Sequence, residues 1–395
     1  MKSKKKIVLA YSGGLDTSII LKWLQDNYDA EVICYTADIG QKIDKKKIIS
    51  NAKKFGVKSI IIKDLKNTFV KDYIYPMIRG HAMYEGVYLL GTSIARPLIA
   101  KDQIRVAKKF KAYAVSHGST GKGNDQIRFE LAYHYFDPKI KIIAPWRIWK
   151  LKSRTDLINY AKKNDISIPK DKKGAPPFSV DDNLFHTSTE GKILENPKNC
   201  APNFIFQKTV SPEKAPNIPV FVTIDFKKGD PVGINGKKIS PTKLLIKLNK
   251  LAGSNGIGRV DLVENRFLGI KSRGIYETPG GTLLIYAHRA IESVTLDKKT
   301  MHKKDSIMPK YAELIYNGYW FSKERFKLQK IIDLNKSKVN GSIKLKLYKG
   351  NITIQSRITN SDAYSLKKVS FEENKSFNKS NVERFIKFHK KRLRS

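Results

Sequence analysis

Over the first 165 residues short apolar runs alternate with amphipathic stretches, and this alternation restricts the fold more than any other feature of the chain. The runs are Ile7–Ala10, Val32–Tyr35, Ser59–Lys63, Tyr113–Ser116 and Lys141–Ala144. Between and after them Thr17–Asn27, Lys45–Phe55, Ser93–Phe110, Asn124–Tyr135 and Ser153–Asn164 carry apolar residues at helical spacing. Strands separated by helices require right-handed crossovers, hence a parallel sheet covered on both faces. Ligands of such sheets bind beyond the carboxyl ends of the strands. The loops after Ala10, Tyr35 and Ser116 are therefore the expected seat of any chemistry.

The pattern changes after Asp165. Pro169, Pro176, Pro177, Pro197, Pro202, Pro212, Pro216 and Pro219 interrupt regular structure. Beyond them, strand-like runs at Pro219–Phe226, Gly258–Val263, Thr282–Ala287 and Ser342–Tyr348 mix with helical runs at Thr242–Leu251 and Ser306–Asn317, which predicts an α+β domain. Asn381–Arg394 reads as a basic amphipathic helix with Val382, Phe385, Ile386 and Phe388 on one side. A single helix of that length is marginal alone, so it is expected to pack on another subunit.

Composition excludes several classes. A 41% hydrophobic content fills more than one core and argues against disorder. Cys34 and Cys200 are the only cysteines, which removes a disulfide scaffold and any CxxC motif. No apolar run approaches the roughly 18 residues of a membrane span. Lys2, Lys4, Lys5 and Lys6 precede an apolar run of only four residues, Ile7–Ala10, where a signal peptide needs about 7 to 15. A cytoplasmic protein is expected. The net charge of +40 invites a polyanion partner, yet only 15 of the 76 basic residues are arginines and the lysines are scattered. Solvated lysine faces are the reading adopted, with nucleic acid not expected as a partner.

Ser12-Gly13-Gly14-Leu15-Asp16-Thr17-Ser18 follows a strand and opens a helix. Two glycines let the backbone turn tightly and approach a ligand, while freed N–H groups and the helix dipole favour phosphate. Ser12, Thr17 and Ser18 add hydroxyls, and Asp16 can hold a metal ion or order the turn. The loop fits neither the Walker A nor the dinucleotide pattern.

The S-G-G-x-D-[ST]-S pattern resembles the pyrophosphate loop of the N-type ATP pyrophosphatases. Within them the chain is similar to the argininosuccinate synthase family. The likeness is carried by Ala10–Ser18, Ala37–Gln41, Glu85–Ser93, His117–Glu130, Ser179–Leu184, Val263–Arg266 and Lys271–Pro279. It implies an α/β fold in three parts: a parallel-sheet ATP-binding domain (1–167), an α+β synthetase domain (168–365) and a C-terminal oligomerisation helix (366–395). It also implies ligation of L-citrulline to L-aspartate, with ATP and Mg²⁺, through a citrullyl-AMP intermediate, and a homotetramer.

Residue roles follow from the same resemblance. Ala10, Tyr11, Ser12, Gly13, Gly14, Leu15, Asp16, Thr17, Ser18, Ala37 and Gly118 match ATP contacts. Tyr88, Ser93, Ser179, Ser188, Glu264 and Tyr276 match citrulline contacts. Thr120, Asn124 and Asp125 match aspartate contacts, with Asn124 and Arg128 also facing citrulline. Asp16, Asp125 and Arg128 are expected to take part in catalysis. Glu264 suits an α-ammonium or ureido N–H groups, or else pairs with Arg266 or Arg273. His117 either contacts phosphate or is satisfied within its loop, and Lys122 is expected to neutralise phosphate or carboxylate. No histidine shows metal-ligand spacing. A tRNA-modifying pyrophosphatase would share the first loop, but leaves the other six blocks without purpose.

Overall fold

The computed structural model describes residues 4–121, 123–151, 154–166, 168, 178–365, 369 and 379–393. Lys122, the prolines 169, 176 and 177, and Ser153 and Arg394 at the ends of two expected helices lie outside the described residues.

The first half builds the expected parallel sheet. Its strands are β1 (Lys5–Ala10), β2 (Ala30–Asp38), β3 (Ile60–Asp64), β4 (Ala114–Ser116) and β5 (Lys141–Ile143), ordered β3-β2-β1-β4-β5 with every pair parallel. Chain order reverses at β1, so a crevice opens beyond the carboxyl ends of β1 and β4. Ile7, Leu9, Val32 and Cys34 pack against α1 (Leu15–Tyr28) and its neighbours, whereas Val8, Ile33 and Tyr35 face the opposite layer. That division is the period of two expected of strands covered on both faces.

Helices α2 (Lys45–Lys54), α3 (Lys66–Phe69), α4 (Tyr75–Arg79), α5 (Gly91–Lys109), α6 (Asn124–Phe136), α7 (Pro145–Ile148) and α8 (Arg154–Lys163) complete this half. A five-residue π turn, Val70–Ile74, joins α3 to α4. Within the core, Gln103 of α5 donates to the carbonyls of Val8 and Ser116 at 2.9 Å each and accepts from Tyr133 Oη at 2.6 Å. One amide thereby fixes α5 and α6 against β1 and β4, at the end of the sheet that bears the crevice.

The second half holds two antiparallel sheets. Strands β6 (Ser179–Asp182), β7 (Thr187–Glu190), β11 (Arg259–Asn265) and β12 (Lys271–Glu277) form one, in the order β11-β12-β7-β6. Strands β8 (Val220–Lys227), β9 (Asp230–Ile234), β10 (Lys237–Lys238), β13 (Gly341–Tyr348) and β14 (Asn351–Ile358) form the other. Helices α9 (Pro241–Ser254), α10 (Pro279–Thr295), α11 (Lys298–Tyr316) and α12 (Lys323–Asp333) pack around them.

The expectation of a strand at Thr282–Ala287 is wrong: these residues lie inside α10. The run is apolar because α10 is buried against α9 and the β13–β14 hairpin, and a short apolar run alone does not separate a buried helix from a strand. Pro279 at its first turn, where a missing N–H costs nothing, is the signal that favours helix.

A turn fastens the halves together. Asn183 Oδ1 accepts from the N–H groups of Phe185 and His186 at 2.9 and 3.0 Å, while its Nδ2 donates to Gly91 O at 3.2 Å. His186 Nε2 meets Thr92 Oγ1 at 2.8 Å, and the Leu184 N–H donates to Ile39 O at 2.9 Å. A second tie is a buried polar plug in which His81 Nε2 lies 2.7 Å from His288 Nδ1, and Glu292 bonds Lys304. His81, His288 and Glu292 thus come within 4.8 Å of one another, a grouping that sequence spacing conceals. The C-terminal helix α13 (Lys379–Lys390) leaves Val382, Phe385, Ile386 and Phe388 exposed.

Candidate active site

A cleft of about 710 Å³ lies between the parallel sheet and the β11-β12-β7-β6 sheet. Its floor is the loop from β1 to α1. Gly13 there has φ +77° and a Cβ would stand 2.7 Å from Ile48 Cγ1, so only glycine makes the turn. Ser12 Oγ lies 3.0 Å from Thr17 Oγ1 and accepts from the Gly14 N–H at 3.3 Å, folding the loop over the helix start. Asp16 and Thr17 sit in the first turn of α1 and line the cleft. Ser18 points away from it: it is buried and its Oγ is 3.2 Å from Tyr11 Oη. The Tyr11 carbonyl accepts from Thr36 Oγ1 at 2.6 Å, which joins the loop to β2 beside Ala37.

The loop after β4 forms one wall with Gly118, Thr120, Asn124 and Asp125. His117 behind it is satisfied locally. Its Nδ1 accepts from the Ser119 N–H at 3.2 Å, which leaves the proton on Nε2, 3.0 Å from Glu130 Oε1. Arg147 also holds Glu130, at 2.7 Å, and burial raises but these two partners lower the Glu130 pKa to a net value below the usual carboxylate range. On the cleft side, Asn124 is buried and its Oδ1 has no hydrogen-bond partner among the described residues. A buried amide end left open in a cleft is a place for a ligand.

Asp125 is clamped. Its Oδ1 accepts from Arg128 Nη1 at 2.8 Å and its Oδ2 from Arg96 Nε at 2.7 Å. Burial pushes its pKa up, but the two guanidinium groups outweigh burial and hold it below the usual carboxylate range. Asp125 is accordingly a carboxylate that resists taking a proton. Arg128 also donates through Nε to Tyr316 O at 3.0 Å.

The opposite wall comes from the second half. Ser179, Ser188, Glu264 and Tyr276 all line the cleft, because β12 pairs with both β11 and β7 and places Tyr276 directly opposite Ser188. Tyr276 stacks on Tyr88 with ring centroids 4.3 Å apart and donates to Glu264 Oε2 at 2.9 Å. Gly274 makes this possible, since a Cβ there would stand 2.5 Å from Tyr276 Oη. Arg266 bonds Glu190 at 2.5 Å and Arg273 bonds Asp261 at 2.6 Å, so neither of the arginines expected as alternatives takes Glu264. Burial pushes the Glu264 pKa up.

Of the residues matched in sequence to ATP or amino-acid contacts, Gly13, Ser18 and Ser93 stand outside the cleft lining; Ser93 is fully buried on α5, near Tyr88. Sequence reasoning gave no site role to Arg96, Asp181, Thr92, Glu190 or Arg266, which do line it. Arg96 and Thr92 flank Ser93 on the same helix, which was the available signal. The cysteines form no pair: Cys34 is buried in β2, with its thiol pushed up to about 12 by burial, and Cys200 is exposed.

Comparison with known proteins places the chain in a family. Residues 6–167 match the Arginosuccinate synthase N-terminal HUP domain family, and residues 178–395 match the Arginosuccinate synthase C-terminal domain family. An argininosuccinate synthase of Pelagibacter ubique is 82% identical over 395 residues, covering 100% of both chains. Those of Parvibaculum lavamentivorans (394 residues; 100% of this chain, 96% of the relative) and Caulobacter vibrioides (396 aligned positions; 100% and 97%) are each 57% identical. The chain therefore belongs to the argininosuccinate synthase family.

Proposed function

We propose that the cleft joins L-citrulline to L-aspartate at the expense of ATP, giving argininosuccinate, AMP and pyrophosphate. The observation that carries the reading is the meeting, in one cleft, of a phosphate-type loop and Tyr88 from one half with the Tyr276–Glu264 pair from the other, the open Asn124 amide also lining it. The ureido oxygen of citrulline attacks the α-phosphorus, and pyrophosphate leaves toward Gly14, Asp16 and Thr17. The aspartate amine then attacks the ureido carbon, the C–O bond breaks, and AMP carries that oxygen away. Such catalysis is positioning and charge neutralisation, so the chain needs no nucleophilic cysteine or serine.

In this reading Gly14, Asp16, Thr17, Ala37 and Gly118 hold ATP. Tyr88, Ser179, Ser188, Glu264, Tyr276 and Arg128 hold citrulline, and Thr120, Asn124 and Asp125 hold aspartate. Ser93 acts behind Tyr88 and Ser18 behind Tyr11. Asp16, the acidic side chain in the first turn of α1, lines the cleft and would offer carboxylate oxygens, the hard donors that suit Mg²⁺. When bound, the ion neutralises phosphate charge. The exposed apolar side of α13 supports a homotetramer with that helix as an arm. A cytoplasmic setting fits a chain in which, among the described residues, no helix is long and apolar enough to cross a membrane.

Oxygen-18 in the ureido group of citrulline tests the order of bonds. The label is expected in AMP; label retained in argininosuccinate or found in pyrophosphate contradicts adenylation of citrulline.

A further inference from the structure

Arg96 enters the cleft from the second turn of α5 and is shared by carboxylates of the two halves. Its Nε donates to Asp125 Oδ2 at 2.7 Å, and its Nη2 lies 2.6 Å from Asp181 Oδ1 on β6. Asp125 passes the chain on through its other oxygen to Arg128, which ends on Tyr316 O at the close of α11. A continuous line of charge-assisted bonds, Asp181–Arg96–Asp125–Arg128–Tyr316, therefore runs from the second-half sheet through the first half and back to the second.

The charges along it balance: two guanidinium groups and two carboxylates. The burial is uneven. The Arg96 and Asp125 side chains are 18% and 20% exposed and Asp181 45%, so Asp125 is the more sheltered of the two carboxylates. A sheltered carboxylate left with one guanidinium in place of two loses both compensation and orientation. A lysine at 96 would keep the charge but not the fork that reaches two carboxylates at once. Asp181 lies between Val180 and Asp182 on the strand that opens with the cleft residue Ser179.

We propose that Arg96 is a positioning residue of this enzyme: it fixes the Asp125 carboxylate at the aspartate site and ties β6, with Ser179, to that carboxylate. The two amino-acid sites are thereby held as a unit across the cleft. The proposal rests on the substrate reading above, in which Asp125 contacts aspartate and Ser179 contacts citrulline.

The test is steady-state AMP formation by the full chain with ATP, citrulline and aspartate varied in turn, for the wild type, Arg96→Met, Arg96→Lys and Asp181→Asn. Wild-type dependence on both amino acids checks the underlying reading in the same assay, so its failure is distinct from failure of the variants to behave as proposed. Arg96→Met is expected to raise KM for aspartate at least tenfold and leave KM for ATP within twofold. It is also expected to move the acid limb of kcat/KM for aspartate upward by about one pH unit, the usual scale of a lost neighbouring charge. The groups facing Asp125 are Arg96 from α5, Arg128 from α6 and His186 from the turn after β6, with Asp181 acting through Arg96. Arg96→Lys is expected to recover part of the aspartate affinity and to keep the acid limb near that of the wild type.

Asp181→Asn keeps Arg96 on Asp125 and is milder for folding. It is expected to raise KM for citrulline several-fold with the acid limb unmoved. Arg96→Met with all three KM values changed by one common factor, or with an acid limb superposed on the wild type, overturns the proposal. So does Asp181→Asn with unchanged KM for citrulline.

Discussion

Single positions shape this cleft. Gly13 combines φ +77° with a wall of Ile48 atoms, so Gly13→Ala meets both backbone strain of roughly 1–2 kcal/mol and a contact at 2.7 Å. It is expected to lower kcat/KM for ATP at least tenfold, read by AMP formation at varied ATP. Retained ATP kinetics would mean the turn is not rigid. Tyr276→Phe removes the hydroxyl that donates to the buried Glu264 carboxylate. Leaving that carboxylate short of a donor costs about 1–3 kcal/mol. The expected result is a rise of roughly 5- to 100-fold in KM for citrulline with KM for ATP unchanged. Both positions stand in recognisable blocks, so they were legible in sequence. The clamp on Asp125 was only partly so: Arg128 lies three residues along the same helix, but Arg96 reaches Asp125 across 29 residues and Asp181 across 85. Spacing does not report such contacts.

At the level of elements, the alternation of apolar runs and amphipathic stretches foretold all five parallel strands to within two residues at each end, apart from the carboxyl end of β2, which runs three residues longer. Each of those strands is flanked by helices whose period differs from its own, which makes the pattern readable. Helix α10 misled because burial on nearly every side erases the polar stripe that marks a helix. The β6–β7 turn could not be foreseen as the fastener of the halves, since its partners Gly91, Thr92 and Ile39 come from distant loops and helix starts. His186 within that turn is fully buried, and burial depresses its pKa to about 3. A histidine depressed from 6.5 to about 3 contributes stability that is present above pH 6.5 and is lost as pH falls toward 3. Between pH 7 and 5 this one group accounts for about 2 kcal/mol. In urea titrations His186→Gln is expected to lose less stability than the wild type over that interval, whatever its stability at pH 7. An equal loss in both proteins would show that His186 is not held neutral.

For the whole molecule, the charge of +40 proves less informative than seven residues after β1. The arginines at the cleft, Arg96, Arg128 and Arg266, are all engaged by carboxylates, whereas the lysines are spread over the chain. The two halves meet face to face, and neither alone presents both the phosphate-type loop and the Glu264–Tyr276 pair. From this follows the central claim that ATP turnover is sustained only when both amino acids complete the cleft. The direct measurement is AMP released from Mg-ATP by the purified chain, with citrulline and aspartate each present or withheld. AMP and pyrophosphate in equal amounts, sustained only with both amino acids, is the predicted result. Sustained AMP formation with tRNA and no citrulline, or none with both amino acids present, would contradict it.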